Sequence, residues 1–193
     1  MKLALRQLIV IGLLFALFLF GIFGCKRKPK EIFYVPGPDS WVTFTNSDCK
    51  FSIFFPSEPK IFDFQSSITN FSDFSRMWTA KSPDGITVCG VWAVTPPGTD
   101  TYSPEQIESA LEFAKDIALG SEGNPKLLGK QPIVLNACRG SEFDFERLEG
   151  KVFTKVRAYV IGRRVFSLIV AVPSSQTNHY SISAFLDSFQ AAP

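Results

Sequence analysis

Histidine is almost absent from this chain of 193 residues, and His179 is the only one. No two cysteines stand in a C-x-x-C pair. The donor spacing of a structural zinc site is therefore missing, and so is a redox dithiol close in sequence. No serine sits in a G-x-S-x-G elbow, the local signature that would announce an esterase-type nucleophile. Charge of one sign is also lacking: 20 basic residues face 18 acidic ones. From Ile32 onward the count is 14 basic against 17 acidic, a net of −3, which leaves no electrostatic footprint for nucleic acid. Cysteine is sparse, at four residues, and three of these lie beyond position 25. Cys49, Cys89 and Cys138 allow one disulfide plus a free thiol, or three free thiols, and their spacing does not choose among the pairings.

What the chain has in abundance is phenylalanine, 20 residues of it, and one long apolar run near its start. Lys2 and Arg6 precede a stretch from Leu8 to Phe23, followed by Gly24 and Cys25. A basic flank, an apolar run and a small residue before a cysteine resemble a bacterial lipoprotein export signal. The expected cut falls before Cys25, which would then carry lipid such as palmitate. Phe23 is bulkier than that pattern usually has. The run is intermediate between a secretory core of about 7–15 residues and a spanning helix of roughly 20. An uncleaved anchor is therefore a competing reading, and an ordinary cleaved signal is a third. Lys26, Arg27, Lys28 and Lys30 would draw an uncleaved anchor's domain to the cytoplasmic side. Beside a lipid anchor, the same residues form a basic tether attracted to anionic headgroups, or simply a solvated spacer. The expected organisation is a signal peptide over 1–24, a lipid-anchored basic linker over 25–40 and one domain over 41–193.

Within that domain the elements announce themselves by periodicity and turn chemistry. Trp41 to Phe44 and Phe51 to Phe55 read as short strands, the second stopped by Pro56. Residues 57–76 resist assignment. Met77 to Lys81 and Ile86 to Val94 form an expected hairpin around Ser82-Pro83-Asp84-Gly85. Ser103, Pro104 and Gln106 make a capping box that starts a helix. Its Ile107, Ala110, Leu111, Ala114, Ile117 and Ala118 share one face, and Gly120 is the expected stop.

Strand register follows from two turns. A two-residue turn at Glu149-Gly150 sets Phe145 against Thr154, Phe143 against Val156, Asp144 against Lys155 and Glu142 against Arg157. Apolar residues then meet on one face and opposite charges on the other. A second turn at Gly162-Arg163, with glycine where a type II′ turn needs it, sets Val156 against Ile169 and Tyr159 against Phe166. The strand from Val165 to Val172 is apolar on both faces, so it should be central and covered twice. One cover is the helix after Ser103. The other is a last helix whose Ile182, Phe185, Leu186 and Phe189 share a face. The expected class is α+β, a three-layer α/β/α sandwich with a largely antiparallel sheet.

Three stretches then carry a resemblance. Phe51-Ser52-Ile53-Phe54-Phe55-Pro56, Tyr159-Val160-Ile161-Gly162-Arg163-Arg164-Val165-Phe166 and Phe185-Leu186-Asp187-Ser188-Phe189 together resemble the PsbP-like superfamily. Its members include exported bacterial lipoproteins and photosynthetic lumen proteins. The resemblance spans about residues 41–190. It implies a non-catalytic binding or accessory domain, with no family catalytic residues, cofactor or metal to carry over. It also implies export, with the domain in the periplasm or outside the cell on a cell membrane or outer membrane. The partners implied are membrane lipid through Cys25 and an envelope protein or small ligand of unknown identity.

The residues offer few competitors. Glu142, Asp144 and Glu146 share one strand face. A hard cation wants oxygens from converging directions, so salt bridges to Lys155 and Arg157 are the expected state. His179 is the only imidazole base for an alternative hydrolase or thiol enzyme, and a plain solvent-facing histidine is the simpler reading. Cys89 sits among small apolar neighbours and reads as a packed thiol. Phe62, Phe64, Phe71, Phe74 and Trp78 either line a partner groove or, more simply, cover a sheet edge and fill one end of the core.

Overall fold

The structure is a computed structural model and describes residues 40–63, 74–96, 102–119 and 125–192. The leader, the basic linker, Phe64, Phe71 and Gly120 lie outside the described residues, as does the lipidation expected at Cys25.

Among the described residues the chain forms ten strands and two α-helices. These are β1 (Val42–Asn46), β2 (Phe51–Phe55), β3 (Lys60–Asp63), β4 (Phe74–Lys81), β5 (Val88–Thr95), α1 (Pro104–Leu119), β6 (Lys126–Leu135), β7 (Cys138–Arg147), β8 (Val152–Ile161), β9 (Arg164–Pro173), α2 (Tyr180–Asp187) and β10 (Gln190–Ala191). Seven strands make one antiparallel sheet in the order β3-β4-β5-β9-β8-β7-β6. β1, β2 and β10 make a second, small sheet in the order β1-β2-β10.

The two turns place the register as the charges and glycines require. β7 pairs β8 with Phe143 opposite Val156, Asp144 opposite Lys155 and Glu142 opposite Arg157. Glu149 and Gly150 both have positive φ, 55° and 83°, and the Lys151 amide donates to the Leu148 carbonyl across 3.2 Å, closing the turn. The φ of Gly150 is one that side-chain-bearing residues rarely adopt, so the position favours glycine. β8 pairs β9 with Val156 opposite Ile169 and Tyr159 opposite Phe166. Gly162 has φ 57° at its turn, the left-handed conformation that a type II′ turn demands first.

β9 is the fourth of the seven strands, with both faces buried. Phe166, Leu168, Val170 and Val172 belong to one apolar cluster and Val165 and Ile169 to another. α1 covers the second cluster through Leu111, Ala114 and Ala118, and Ser167 Oγ donates to the Ala114 carbonyl at 2.9 Å. Small side chains on α1 let the helix approach the sheet closely. Its start is the expected capping box: the Ser103 amide donates to Gln106 Oε1 at 2.8 Å, and the Gln106 amide donates to Ser103 Oγ at 3.3 Å.

The opposite face has a composite cover. α2 contributes Ile182, Phe185 and Leu186, followed by Phe189, and the small sheet contributes Phe51, Ile53 and Phe55. The strands expected at 41–44 and 51–55 are present, the first shifted to Val42–Asn46, and with β10 they form a second sheet in the layer expected to hold a helix alone. Trp78 is wholly buried against Phe51, ring centroids 5.1 Å apart, so this member of the aromatic run fills the core. Phe62 lies on the edge strand β3 and stays 40% exposed.

Candidate functional site

The face of the sheet that carries α2 is apolar over β4, β5 and β9 and turns charged toward β7 and β8. Glu142 comes from β7, Lys155 and Arg157 from β8, Gln131 from β6 and Asp187 from the end of α2. The Glu142 side chain is only 6% exposed. Its carboxylate accepts from Lys155 Nζ at 2.8 Å, Arg157 Nε at 2.6 Å and Gln131 Nε2 at 2.8 Å. Lys155 also reaches Asp144 at 2.9 Å, and Arg157 Nη1 reaches Asp187 at 2.6 Å. Burial works to raise the Glu142 pKa, but the hydrogen bonds from Lys155, Arg157 and Gln131 outweigh it and hold the carboxyl at about 2. Glu142 and Asp144, the two carboxylates that the register sets against Arg157 and Lys155, are salt-bridged as expected. Among the described residues no group of three histidine, cysteine or acidic side chains is placed to hold a metal ion.

Beside this network lies an open groove of about 740 Å³. Its walls come from the β1–β2 turn (Asn46, Lys50), β10 (Gln190, Ala191), the β6–β7 turn (Asn136) and Asp187. Lys50 and Asn136 have positive φ, 54° and 48°, so two of the turns that shape the groove have left-handed backbone. The lining mixes amides, hydroxyls, Lys50 and Asp187 with Phe51, Leu135, Phe189, Ala191 and Ala192, and the larger part of its exposed surface is apolar.

His179 stands at the start of α2 and is half-buried. Its Nδ1 is 2.6 Å from Ser181 Oγ, and Ser181 Oγ is 2.9 Å from Thr87 Oγ1. Ser181 and Thr87 are both 0% exposed. The histidine therefore has a hydroxyl partner, contrary to the simpler expectation of a solvent-facing side chain. That hydroxyl is enclosed and bridges α2 to the end of the β4–β5 turn. The sequence pattern H-x-S carried no hint of this contact, because Thr87 joins it from 94 residues away.

The three cysteines of the domain are free. Cys89 is fully buried and its thiol pKa is pushed well up by burial, matching the packed thiol expected. Cys49 is also buried, and burial raises its thiol to about 11 despite the nearby Arg164 and Arg76 charges. Cys138 is half-buried.

No protein-family model matches the sequence, and no curated protein matches it. Among solved structures, the chain is similar to cyanobacterial PsbP (CyanoP) from Synechocystis sp. PCC 6803, with a TM-score of 0.57 and 9% identity. That match covers 86% of this chain and 98% of the other. The fold is PsbP-like. At so low an identity the likeness speaks for the fold, and the groove and the Glu142 network are features of this chain's own residues. Looser likenesses are a protein from Bacteroides thetaiotaomicron (TM-score 0.46, 14% identity, 78% of this chain and 48% of that one) and PA94 from Pseudomonas aeruginosa, a protein of unknown function (TM-score 0.40, 12% identity, 74% and 90%). No helix among the described residues is long and apolar enough to cross a membrane.

Proposed function

We propose that this chain is a non-catalytic accessory domain of the bacterial envelope. Lipid on Cys25 tethers it to a membrane, and the groove beside Asp187 binds an envelope protein or a small ligand. One observation carries the non-catalytic part. The serine paired with the only imidazole is itself fully enclosed, so the pair serves to fix α2 and is closed to a substrate. The hydrolase alternative rests on the same 2.6 Å contact and would need Ser181 to emerge from the core. A leader ending at Gly24-Cys25 supports the lipid tether, and the basic residues after it suit an anionic membrane surface.

The tether is tested by growing cells with a clickable fatty acid and comparing wild type with Cys25→Ser. Label on the wild type, together with release of the variant from the membrane fraction, is the expected result. Equal label and equal partition in both would overturn it. A photo-crosslinker at Asn136, in the groove, should give a discrete adduct in intact cells that one at Ser175 does not. Identical patterns at the two positions would remove the groove from the proposal.

A further inference from the structure

The groove beside α2 has one anionic side chain in its wall, Asp187, and that carboxylate is held in place. Arg157 Nη1 donates to Asp187 Oδ1 at 2.6 Å, and Arg157 is itself fixed by its 2.6 Å bond to Glu142. The neighbouring Ser188 accepts the Phe54 amide at 3.0 Å, which ties the end of α2 to β2. Arg157 engages one oxygen of Asp187, and the side chain is still 62% exposed, so the other oxygen is open to a donor from outside.

Charge in the network does not balance. Glu142, Asp144 and Asp187 face Lys155 and Arg157, three carboxylates against two cations. The excess negative charge is offered where the network is most exposed, and that is Asp187. Next to it the groove is lined by Phe51, Leu135, Phe189 and Ala191. The cation of the lining, Lys50, lies toward the far end. Ser188 stands beside Phe54, Gln190 beside Ser52, and the Ala192 amide donates to the Lys50 carbonyl, so the wall runs away from Asp187 as it reaches Lys50.

We propose that the groove takes a small organic cation, with an ammonium head on Asp187 and an apolar body along Phe189, Ala191 and Phe51. The assignment rests on the groove being the binding site and adds the chemistry of its ligand. Apolar walls lower the effective dielectric, which strengthens the ion pair over one on an open surface. A carboxylate already held by Arg157 loses little freedom on binding. An anionic ligand would meet the excess negative charge instead.

NMR of the isotope-labelled full chain tests this with hexylamine, n-hexanol and hexanoate, which share an apolar tail and differ in head charge. Hexylamine should shift the amides of residues 50–52 and 187–192 at about fivefold lower concentration than n-hexanol, the scale of one charged contact at a partly exposed site. Hexanoate should act more weakly than either. Asp187→Asn should remove the advantage of the amine and leave the n-hexanol response unchanged, while the amides of α1 and β5 keep their positions and so report an intact fold. Equal responses to amine and alcohol, or an amine response indifferent to Asp187→Asn, overturn the cation and leave the groove standing. No response to any of the three overturns the groove as well. If acetyl-Leu-Lys-Leu-amide shifts the same residues more than about tenfold more tightly than hexylamine, the occupant is a protein segment and the small-molecule assignment falls.

Discussion

Replacing Glu142 with glutamine tests the energetics of the charged face most directly. The carboxylate is almost fully buried, accepts three hydrogen bonds and has a pKa of about 2 against an ordinary 4.5. A depression of that size corresponds to roughly 3 kcal/mol of stability at neutral pH, since one unit is worth about 1.4 kcal/mol. Glutamine keeps the shape and one acceptor oxygen but removes the charge. Lys155 and Arg157, each about one-fifth exposed, then retain only Asp144 and Asp187 as counter-ions. Those second partners soften the loss. The expected cost is about 2–3 kcal/mol, below the 3–5 typical of breaking an isolated buried pair. For a domain of this size the melting temperature should fall by about 5–10 °C. The pH dependence has a definite sign. Because the folded pKa lies below the unfolded one, the stabilisation is complete above about pH 4.5. It is lost as pH falls toward 2. Thermal melts of wild type and Glu142→Gln at pH 7, 4.5, 3 and 2 should therefore converge in acid. A gap below about 1 °C at pH 7, or a gap that does not narrow between pH 4.5 and 2, would refute the reasoning.

Three further outcomes follow from single side chains. Thr154 is 0% exposed and its hydroxyl has no hydrogen-bond partner among the described residues, so Thr154→Val, nearly the same shape, should stabilise the fold by about 1 kcal/mol in chemical denaturation. Ser103→Ala removes half of the α1 capping box and should cost about 1 kcal/mol, with a matching drop in melting temperature. With a thiol reagent at neutral pH, native protein should react first at half-buried Cys138, while buried Cys49 and Cys89 wait for unfolding. Equal rates at all three would contradict the packing.

The β7–β8–β9 meander was legible because two kinds of signal agreed. Glycine fixed each turn, and the resulting register matched apolar to apolar on one face and Glu142 and Asp144 to Arg157 and Lys155 on the other. β6 was not legible. Gly129 and Pro132 interrupt it, most of its side chains are exposed, and its register shifts between Leu127 and Gly129. Those are the marks of an edge strand, and with most of its side chains in solvent β6 has no buried face to impose an alternating pattern. β10 is only two residues long and has no period to detect. The Glu142 network was half legible: its cross-strand partners followed from register, whereas Gln131 and Asp187 arrive from β6 and α2 by tertiary packing. The His179–Ser181 contact is local, but its enclosure depends on Thr87, and no local pattern reports burial contributed from so far along the chain.

The pairing of β10 with β2 brings Ala191 against Phe51 and Gln190 against Ser52. Ser188 Oγ takes the Phe54 amide at 3.0 Å, across 134 positions of sequence. A chain made from its amino end must therefore hold Phe51, Ile53 and Phe55 without these neighbours until residues 188–191 have also been made. Assembly of this layer is a late, long-range event, and until it completes the nascent chain has three bulky apolar residues ready to adhere elsewhere. Helpers that shield emerging polypeptides would find their natural target at the front of the domain, while its last residues act as the clasp.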